Sequence, residues 1–485
     1  MALKTPRLAP NATGDRRAYE AEAETQRKLG LPNELPSDWK DQALDRMKAQ
    51  VKNNQALRVY LDACMRCGAC TDKCHFFLGT GDPLNMPVAR QDLYRKVYQR
   101  HFTFAGRWLP WLVGAKDLDE EMLERWFTYF HQCSQCRRCA VYCPAGIDTA
   151  EFAIAGREIL NQIGQGQKFT NEIVVKAAEL GNNLGLPGPA LEDTLEGLEE
   201  ELLETTGQPI RLPLDQSGAD LLLVTPSADF FAEPHVDGLL GYAKVLHQAG
   251  LSWTFSSAAS EAANFALFIG DAARRRALTD TIVESARALG VKRIVFGECG
   301  HAWRVAHNAF ATEAELQFLS PTYRRPEHIV EVSHDLWQRQ ALRLDPAGNE
   351  DKRLTFHDSC NIARGARLGT RPGDQFRMPR ALLRAACRHV YDMPNATIRE
   401  QTFCCGAGGG LLTDELTALR VDGAKPRMDA FQSAVDTHAI THMVAICAIC
   451  KSQLSAMMPH FGHEMTKILS LHQVVGDAVV FDRIG

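Results

Sequence analysis

From about residue 218 onward, short apolar runs alternate with longer amphipathic ones. "ADLLLVTP" is a short apolar run closed by a turn signal, which predicts a buried strand. "HVDGLLGYAKVLHQAG" follows with helical spacing and stops at Gly250. "FALFIGD" reads as another strand, "ARRRALTDTIVESARALG" as a helix and "VKRIVFGECG" as a strand. Alternation of this kind predicts a largely parallel α/β layer, because parallel strands need a crossover between them. The order then recurs. "KRLTFHDSC" predicts a strand and "PRALLRAAC", with the residues after it, a helix. "REQTFCCGAGGG" takes the place of an element and its turn, "PRMDAFQSAVDTHA" of a helix and "ITHMVAICAIC" of a strand. The best match pairs "VKRIVFGECGHAW" with "ITHMVAICAICKSQ", each an apolar strand ending in cysteine. The pattern predicts an internal repeat, 218–332 and 352–478. The second copy kept its cysteines; the first kept only Cys299.

The earlier half has a different texture. Residues 1–55 are polar, with Pro6, Pro10, Pro32 and Pro36, and predict an extended arm followed by a short helix. Residues 56–165 hold helix-like stretches, "PVARQDLYRKVYQR" and "DLDEEMLERWFTYFHQC". Residues 166–217 read as a connector whose acidic run, "LEDTLEGLEEELLE", predicts a solvated helix. A chain of 485 residues has room for several domains. The net charge of -5 argues against a nucleic-acid binder. No apolar run reaches the roughly eighteen residues of a membrane helix, and the N-terminus shows no apolar signal region. These features predict a cytoplasmic protein that reaches a membrane only through partners.

The fifteen cysteines change the picture. Cys64, Cys67, Cys70 and Cys74 lie in "CMRCGACTDKC"; Cys133, Cys136, Cys139 and Cys143 lie in "CSQCRRCAVYCP". Both have the spacing C-x-x-C-x-x-C-x-x-x-C. Three thiolates two residues apart can wrap one corner of a 4Fe–4S cubane, and the fourth ligates the neighbouring cluster. The spacing therefore assigns Cys64, Cys67, Cys70 and Cys143 to one cluster, and Cys133, Cys136, Cys139 and Cys74 to the other. Zinc wants four ligands, usually as two pairs; two four-cysteine runs with the same ferredoxin spacing speak against it. The first motif carries His75 where the second has Pro144, a change of little weight for ligation.

A second constellation lies in the last third. Cys360 and the pair Cys447 and Cys450 stand at predicted strand ends, and Cys404 and Cys405 are neighbours in "TFCCGAGGG". Open α/β sheets place their sites at one edge, so all five thiols are expected to converge. Five thiolates exceed the needs of one zinc or one ordinary cubane, and adjacent thiolates can reach different irons of an opened cluster. The glycines, Gly406 first among them, let backbone pass close to a cluster and a substrate. A dinucleotide loop is the weaker reading of "GAGGG", since its fingerprint needs a flanking strand, a helix and a distant acid.

The pattern C…CCG…C-x-x-C, carried by Cys360, Cys404–Cys405–Gly406, Cys447 and Cys450, resembles the CCG domain of heterodisulfide reductases. That resemblance implies a noncubane 4Fe–4S cluster that cleaves disulfides. The fold class it completes is α+β and multidomain: an α-helical ferredoxin domain with two 4Fe–4S clusters, then two α/β CCG-type repeats, the first degenerate. The whole layout, over about 55–478, resembles the DsrK family, heterodisulfide-reductase-like subunits of the DsrMKJOP membrane complex of dissimilatory sulfur metabolism. It implies a cytochrome b-type partner in the membrane (DsrM-like). It also implies the small sulfur carrier DsrC as substrate, through a disulfide or trisulfide. Small-thiol heterodisulfide reductases and iron–sulfur subunits of 2-hydroxy acid oxidases share the same parts. In the oxidases both repeats usually bear cysteines, which speaks against them here. A non-catalytic redox scaffold is the third alternative.

Single residues carry two readings each. Cys299 is either an inert relic or a group facing the cluster. His301 and His357 are either ordinary hydrogen-bonded histidines or proton donors, since each lies near a strand-end cysteine and a histidine side chain suits proton transfer. Cys387 reads as a buried helix cysteine. Lys451 either favours thiolate charge at Cys450 or is solvated. "HFTFAGRWLPWLVGAK", from His101 to Lys116, is either core or a docking surface for the membrane partner.

Overall fold

The computed structural model describes residues 35–481 except 183 and 262. The extended arm expected over the first residues lies outside the described residues. The chain forms two compact units. The first is built from the chain up to Val175 with Phe265–Ala272 and Phe403–Pro426. The second takes Lys176–Asn264, Ala273–Thr402 and the chain from Arg427.

The first unit is helical. Trp39–Asn53, Pro87–Phe102, Glu120–His131 and Thr149–Gln162 surround a core of Met47, Tyr94, Trp126, Phe130, Phe152 and Ile159. Their starts follow local chemistry. Asp119 accepts a hydrogen bond from Met122 N, and Asp148 from Ala150 N, so each side chain satisfies an orphan donor of the helix it opens. Two polar aromatic side chains of the core are paired. Tyr94 Oη donates to Gln50 Oε1 at 3.0 Å, and Trp126 Nε1 to Leu93 O at 3.1 Å. The predicted segments at 87–100 and 117–133 are these helices.

The second unit holds two four-stranded parallel sheets. The first contains β1 (Leu221–Val224), β2 (Trp253–Thr254), β3 (Arg293–Phe296) and β4 (Glu327–His328), in the order β2-β1-β3-β4. The second contains β5 (Leu354–His357), β6 (Val390–Tyr391), β7 (His442–Ala445) and β8 (Ile468–Ser470), in the order β6-β5-β7-β8. The order is the same, and so is the register of the central pair. Leu221 lies opposite Arg293 as Leu354 lies opposite His442. The last strand of each sheet opens a helix through a capping box, His328 with Glu331 and Ser470 with Gln473. Equivalent helices also pack reciprocally. His235–Gln248 of the first repeat meets Leu471–Asp477 of the second, and Ile329–Gln338 of the first meets Asp374–Ala386 of the second. The internal repeat is thus a pair of α/β layers related by approximate two-fold exchange.

Two elements differ from expectation. "FALFIGD" forms no strand: its first four residues end the helix Ala263–Phe268 and a turn follows. A short run buried on all sides looks the same as strand or helix, since neither period shows. The strand in its place is β2, two residues long and too short to leave a pattern. The stretch around Cys404 is a tight loop after a single turn at Arg399–Gln401, rather than a regular element.

Where His235–Gln248 crosses Leu471–Asp477, Gly241 lies against His472 and Gly476, and a Cβ at Gly241 would overlap the carbonyl oxygen of His472. Alanine gains about 1 kcal/mol of helix propensity over glycine, but a clash with backbone cannot be relieved by rotating a side chain. Gly241→Ala is therefore expected to destabilise the second unit by about 1–3 kcal/mol, read from its denaturant midpoint. A stabilised variant would show that the crossing is looser than described.

Candidate functional site

The two ferredoxin-type motifs wind alike. In the first, Arg66 and Gly68 flank Cys67 with φ of 55° and 78°; in the second, Gln135 and Arg137 flank Cys136 with 56° and 60°. Three of these four residues bear side chains that resist the left-handed region. The repeated cost is the sign of a loop shaped around something. Cys64, Cys67, Cys70 and Cys143 line one cavity. Cys74, Cys133, Cys136 and Cys139 line another. Each cavity thus gathers three thiols of one motif and the last thiol of the other, a donor set that fits a 4Fe–4S cluster. Burial pushes the Cys70 thiol up to about 11. Burial also opposes charge on Cys74, but Arg90, donating to its Sγ at 3.3 Å, holds that thiol below its ordinary value.

The loop Phe403–Gly410 belongs to this same helical unit. Arg138 stacks on the Phe403 ring at 3.8 Å while donating to Lys73 O. His75, the residue after Cys74, lies against Cys404. Its Nδ1 is 2.8 Å from Gly423 O and its Nε2 2.8 Å from Ser134 Oγ. Burial disfavours a charged ring, yet the Cys404 thiol raises the His75 pKa. Leu411, Leu416 and Leu419 pack with Phe76 and Cys74.

The strongest tie is Arg157. It is buried, and its guanidinium donates to the carbonyls of Phe130, His131, Cys133, Phe268 and Gly409. Burial draws it down to about 10, so it remains charged at neutral pH. The glycines now have a structural role. Gly409 and Gly410 have φ of 71° and 87°. A Cβ on Gly409 would stand 3.0 Å from Cys133 O, so only glycine lets the loop lie flush on the second motif.

The second unit holds the other cysteines. Cys360 follows β5 and opens the short turn Asn361–Gly365, with Asn361 Nδ2 3.5 Å from its Sγ. Cys447 follows β7 at the start of the helix Ala448–Met457, and Cys450 lies in its first turn. Cys299 stands at the equivalent place after β3, capping Gly300–Ala309. The structure puts it at Cys447, to which it is hydrogen-bonded. The bonds from Cys299 and Cys450, with His301 Nδ1 at 3.5 Å, take the Cys447 thiol well below its ordinary range. His357 ends β5 and is fully buried. Cys387 caps a helix C-terminus near Lys352 O, away from these groups in its bonding.

Lys451 is not solvated. It is fully buried, 3.0 Å from Ser470 Oγ, 3.5 Å from Glu298 Oε2 and 3.8 Å from Asp229 Oδ1. Glu298 also accepts from Ser470 Oγ at 2.5 Å and from His472 N at 2.8 Å, and its Oε1 lies 2.6 Å from His472 Nδ1. Burial opposes its charge, but Lys451, His472 and Ser470 prevail and hold Glu298 down to about 2. Burial raises Asp229 to about 6 against the pull of Lys451. Asp229 and Glu298 come from the first repeat, Lys451, Ser470 and His472 from the second. Sequence reasoning missed this network, and it missed Arg157 and the role of His75. Only the place of Lys451 beside Cys450 and of Glu298 beside Cys299 hinted at it.

Helical packing around two four-thiol cavities, followed by paired α/β layers with strand-end thiols, defines an iron–sulfur protein. Comparison with known proteins agrees. Residues 60–147 match the family of the 4Fe-4S dicluster domain, and residues 354–455 that of the cysteine-rich CCG domain. An Hdr-like menaquinol oxidoreductase iron-sulfur subunit of Archaeoglobus profundus is 37% identical over 482 residues, 93% of this chain and 85% of that protein. Iron-sulfur subunit 2 of the same oxidoreductase type from Archaeoglobus fulgidus is 37% identical over 483 residues, with the same coverage. A dihydromethanophenazine:CoB–CoM heterodisulfide reductase polypeptide of Methanosarcina barkeri is 23% identical over 419 residues, 83% of this chain and 91% of that protein. The chain belongs to the Hdr-like iron–sulfur subunit family, with 4Fe–4S dicluster and CCG domains.

Two outcomes follow from these contacts. Arg157→Met leaves five buried carbonyls short of a donor and is expected to cost at least about 3 kcal/mol, with faster proteolysis within 403–426. Protease resistance equal to the parent would show that the clamp is dispensable. Lys451→Met strands two buried carboxylates and is expected to cost roughly 3–5 kcal/mol. Adding Glu298→Gln should recover part of that loss, and a double-mutant cycle in denaturant measures the coupling. Strictly additive losses would show no coupling.

Proposed function

We propose that the chain carries electrons one at a time between two cubane 4Fe–4S clusters and a noncubane 4Fe–4S cluster, where a disulfide or trisulfide is reduced or formed. In this reading Cys64, Cys67, Cys70 and Cys143 hold one cubane. Cys133, Cys136, Cys139 and Cys74 hold the other. Cys360, Cys404, Cys405, Cys447 and Cys450 hold the noncubane cluster. The observation that carries the proposal is the seat of the Cys404–Cys405 loop on the second ferredoxin-type motif, through His75 and Arg157. It gives electrons a short protein path toward the paired thiols. The cysteine-rich domain match covers all five proposed noncubane ligands, which supports the same reading.

When bound, the clusters supply the one-electron steps. The chain's residues do the rest. Reducing one disulfide takes two electrons and two protons and yields two thiols. His301, with Nδ1 3.5 Å from Cys447 Sγ, can hold a proton beside the reacting sulfur. His357 and Cys299 are the other groups proposed to act there. Arg157 and His75 hold the loop in register.

The resemblance of the layout to DsrK of the DsrMKJOP complex makes a protein thiol carrier of the DsrC kind the proposed substrate. The proposed electron partner is a quinol-linked, cytochrome b-type membrane subunit (DsrM-like). The menaquinol in the names of the Archaeoglobus relatives supports the quinol link. Among the described residues, no helix is long and apolar enough to cross a membrane. The chain is therefore proposed to sit on the cytoplasmic face through its partners. The heterodisulfide in the Methanosarcina relative's name makes a small-thiol substrate the second arm of the test.

The test is iron and acid-labile sulfide on anaerobically purified protein, with low-temperature EPR of the oxidised form. Roughly twelve irons are expected, the content of three 4Fe–4S clusters. A new paramagnetic signal should appear on adding the reduced carrier and not on adding small thiols. A signal with small thiols alone would move the substrate to a heterodisulfide. About eight irons and no thiol-dependent signal would remove the noncubane site.

A further inference from the structure

Phe102 and Ala115 of the segment His101–Lys116 reach the core, but the residues between them largely do not. Phe104–Trp108 and Pro110–Val113 are short helical turns on the outside of the first unit, beside the helix Pro87–Phe102. Phe104 is 79% exposed, Trp108 72%, Trp111 77% and Leu112 63%. Side chains this bare project outward and line no groove. Soluble surfaces seldom gather several large apolar groups in one place.

The backbone beneath them is fixed. Thr103 Oγ1 accepts from Gly106 N at 3.1 Å, and Arg100 donates to Arg107 O at 3.1 Å. Arg107 in turn donates to His101 O at 2.8 Å, and Lys116 N to Lys96 O at 3.2 Å. A Cβ on Gly106 would overlap Gln99 O, so the first turn is pressed onto its supporting helix. The aromatic tips are therefore presented on a rigid base.

Charge selects the occupant. Between Leu93 and Lys116 there is no Asp or Glu; Arg95 is buried and paired with Asp92, which leaves Lys96, Arg100, Arg107 and Lys116 as the basic groups of the rim. Asp117, the first acid after the segment, is already paired with Lys40 at 2.8 Å and His101 at 2.9 Å. Indole and phenyl rings on a basic rim match the boundary of an anionic bilayer, where tryptophan prefers the headgroup level and lysine and arginine meet lipid phosphate.

We propose that Phe104–Leu112 is an interfacial anchor by which this subunit itself touches the headgroup layer of an anionic membrane. The anchor depends on neither the cluster ligands nor the electron acceptor. It would hold the first unit, with its cluster cavities, at the lipid surface where a quinol-linked partner lies.

The test uses the full chain with its clusters. Flotation is measured with vesicles of phosphatidylcholine alone and of an equal mixture with phosphatidylglycerol, and tryptophan fluorescence with lipids brominated near the headgroup. Binding to the anionic vesicles should exceed binding to the neutral ones by roughly tenfold, with quenching by the brominated lipid. W108S/W111S should lose most of both signals with iron content unchanged, and R107Q/K116Q should weaken flotation by roughly tenfold. No flotation with either vesicle would overturn the proposal. So would flotation undiminished in W108S/W111S, or a dimer in solution that this variant abolishes, which would make a second copy the occupant.

Discussion

The guanidinium of Arg157 is the contact on which the helical unit depends. One buried cation gathers carbonyls from the end of the helix Glu120–His131, from the second cysteine motif, from the Phe265–Ala272 piece and from the glycine loop after Cys405. The helix end and the motif are neighbours in sequence, but the other two pieces are far from them and from each other, and no sheet joins them. Carbonyl oxygens buried together repel one another unless a donor stands between them, and a planar group with five N–H donors can serve several at once. The same contact explains the glycines. The loop has to lie flat enough for Gly409 O and Cys133 O to share one cation, and a side chain at Gly409 would lift it away.

The second unit solves a related problem by symmetry. Its two α/β layers exchange equivalent helices across their junction. At the strand ends one repeat carries Cys447, Cys450 and Lys451, while the other carries Glu298 and Cys299. The degenerate repeat did not become inert. It supplies the carboxylates that neutralise Lys451, and the thiol that meets Cys447. Such a network satisfies its members only when both repeats are correctly docked, so it ties the geometry beneath the Cys447 helix to the pairing of the repeats.

Much of this was legible in the sequence. The four-cysteine spacings pointed to cavities that draw their fourth thiol from the other motif, because ligand spacing is a local constraint. Strands β1, β3, β5 and β7 were legible as apolar runs between helices, and the repeat followed from them. The two-residue strands β2, β4 and β6 were not, being shorter than any period. "FALFIGD" misled because complete burial erases periodicity. Asp229, Glu298 and Lys451 are letters that usually mark a surface, and only the fold brings them together. His75 looked like a minor departure from a ferredoxin pattern until the loop bearing Cys404 closed over it.

The helical unit is not contiguous in the chain, and this bears on how the protein is made. Phe403–Pro426 emerges from the ribosome long after both cysteine motifs. Until then Arg157 lacks one of its carbonyls, and the groups that Gly409 and Leu411 will cover stay open. Domains of a growing chain generally fold in the order they appear, but this one cannot close before most of the second has been synthesised. Its two cysteine cavities, lined by residues 63–150, are complete in the chain before that loop arrives to settle on the second motif. The interval leaves the maturation machinery a period in which to reach the thiols.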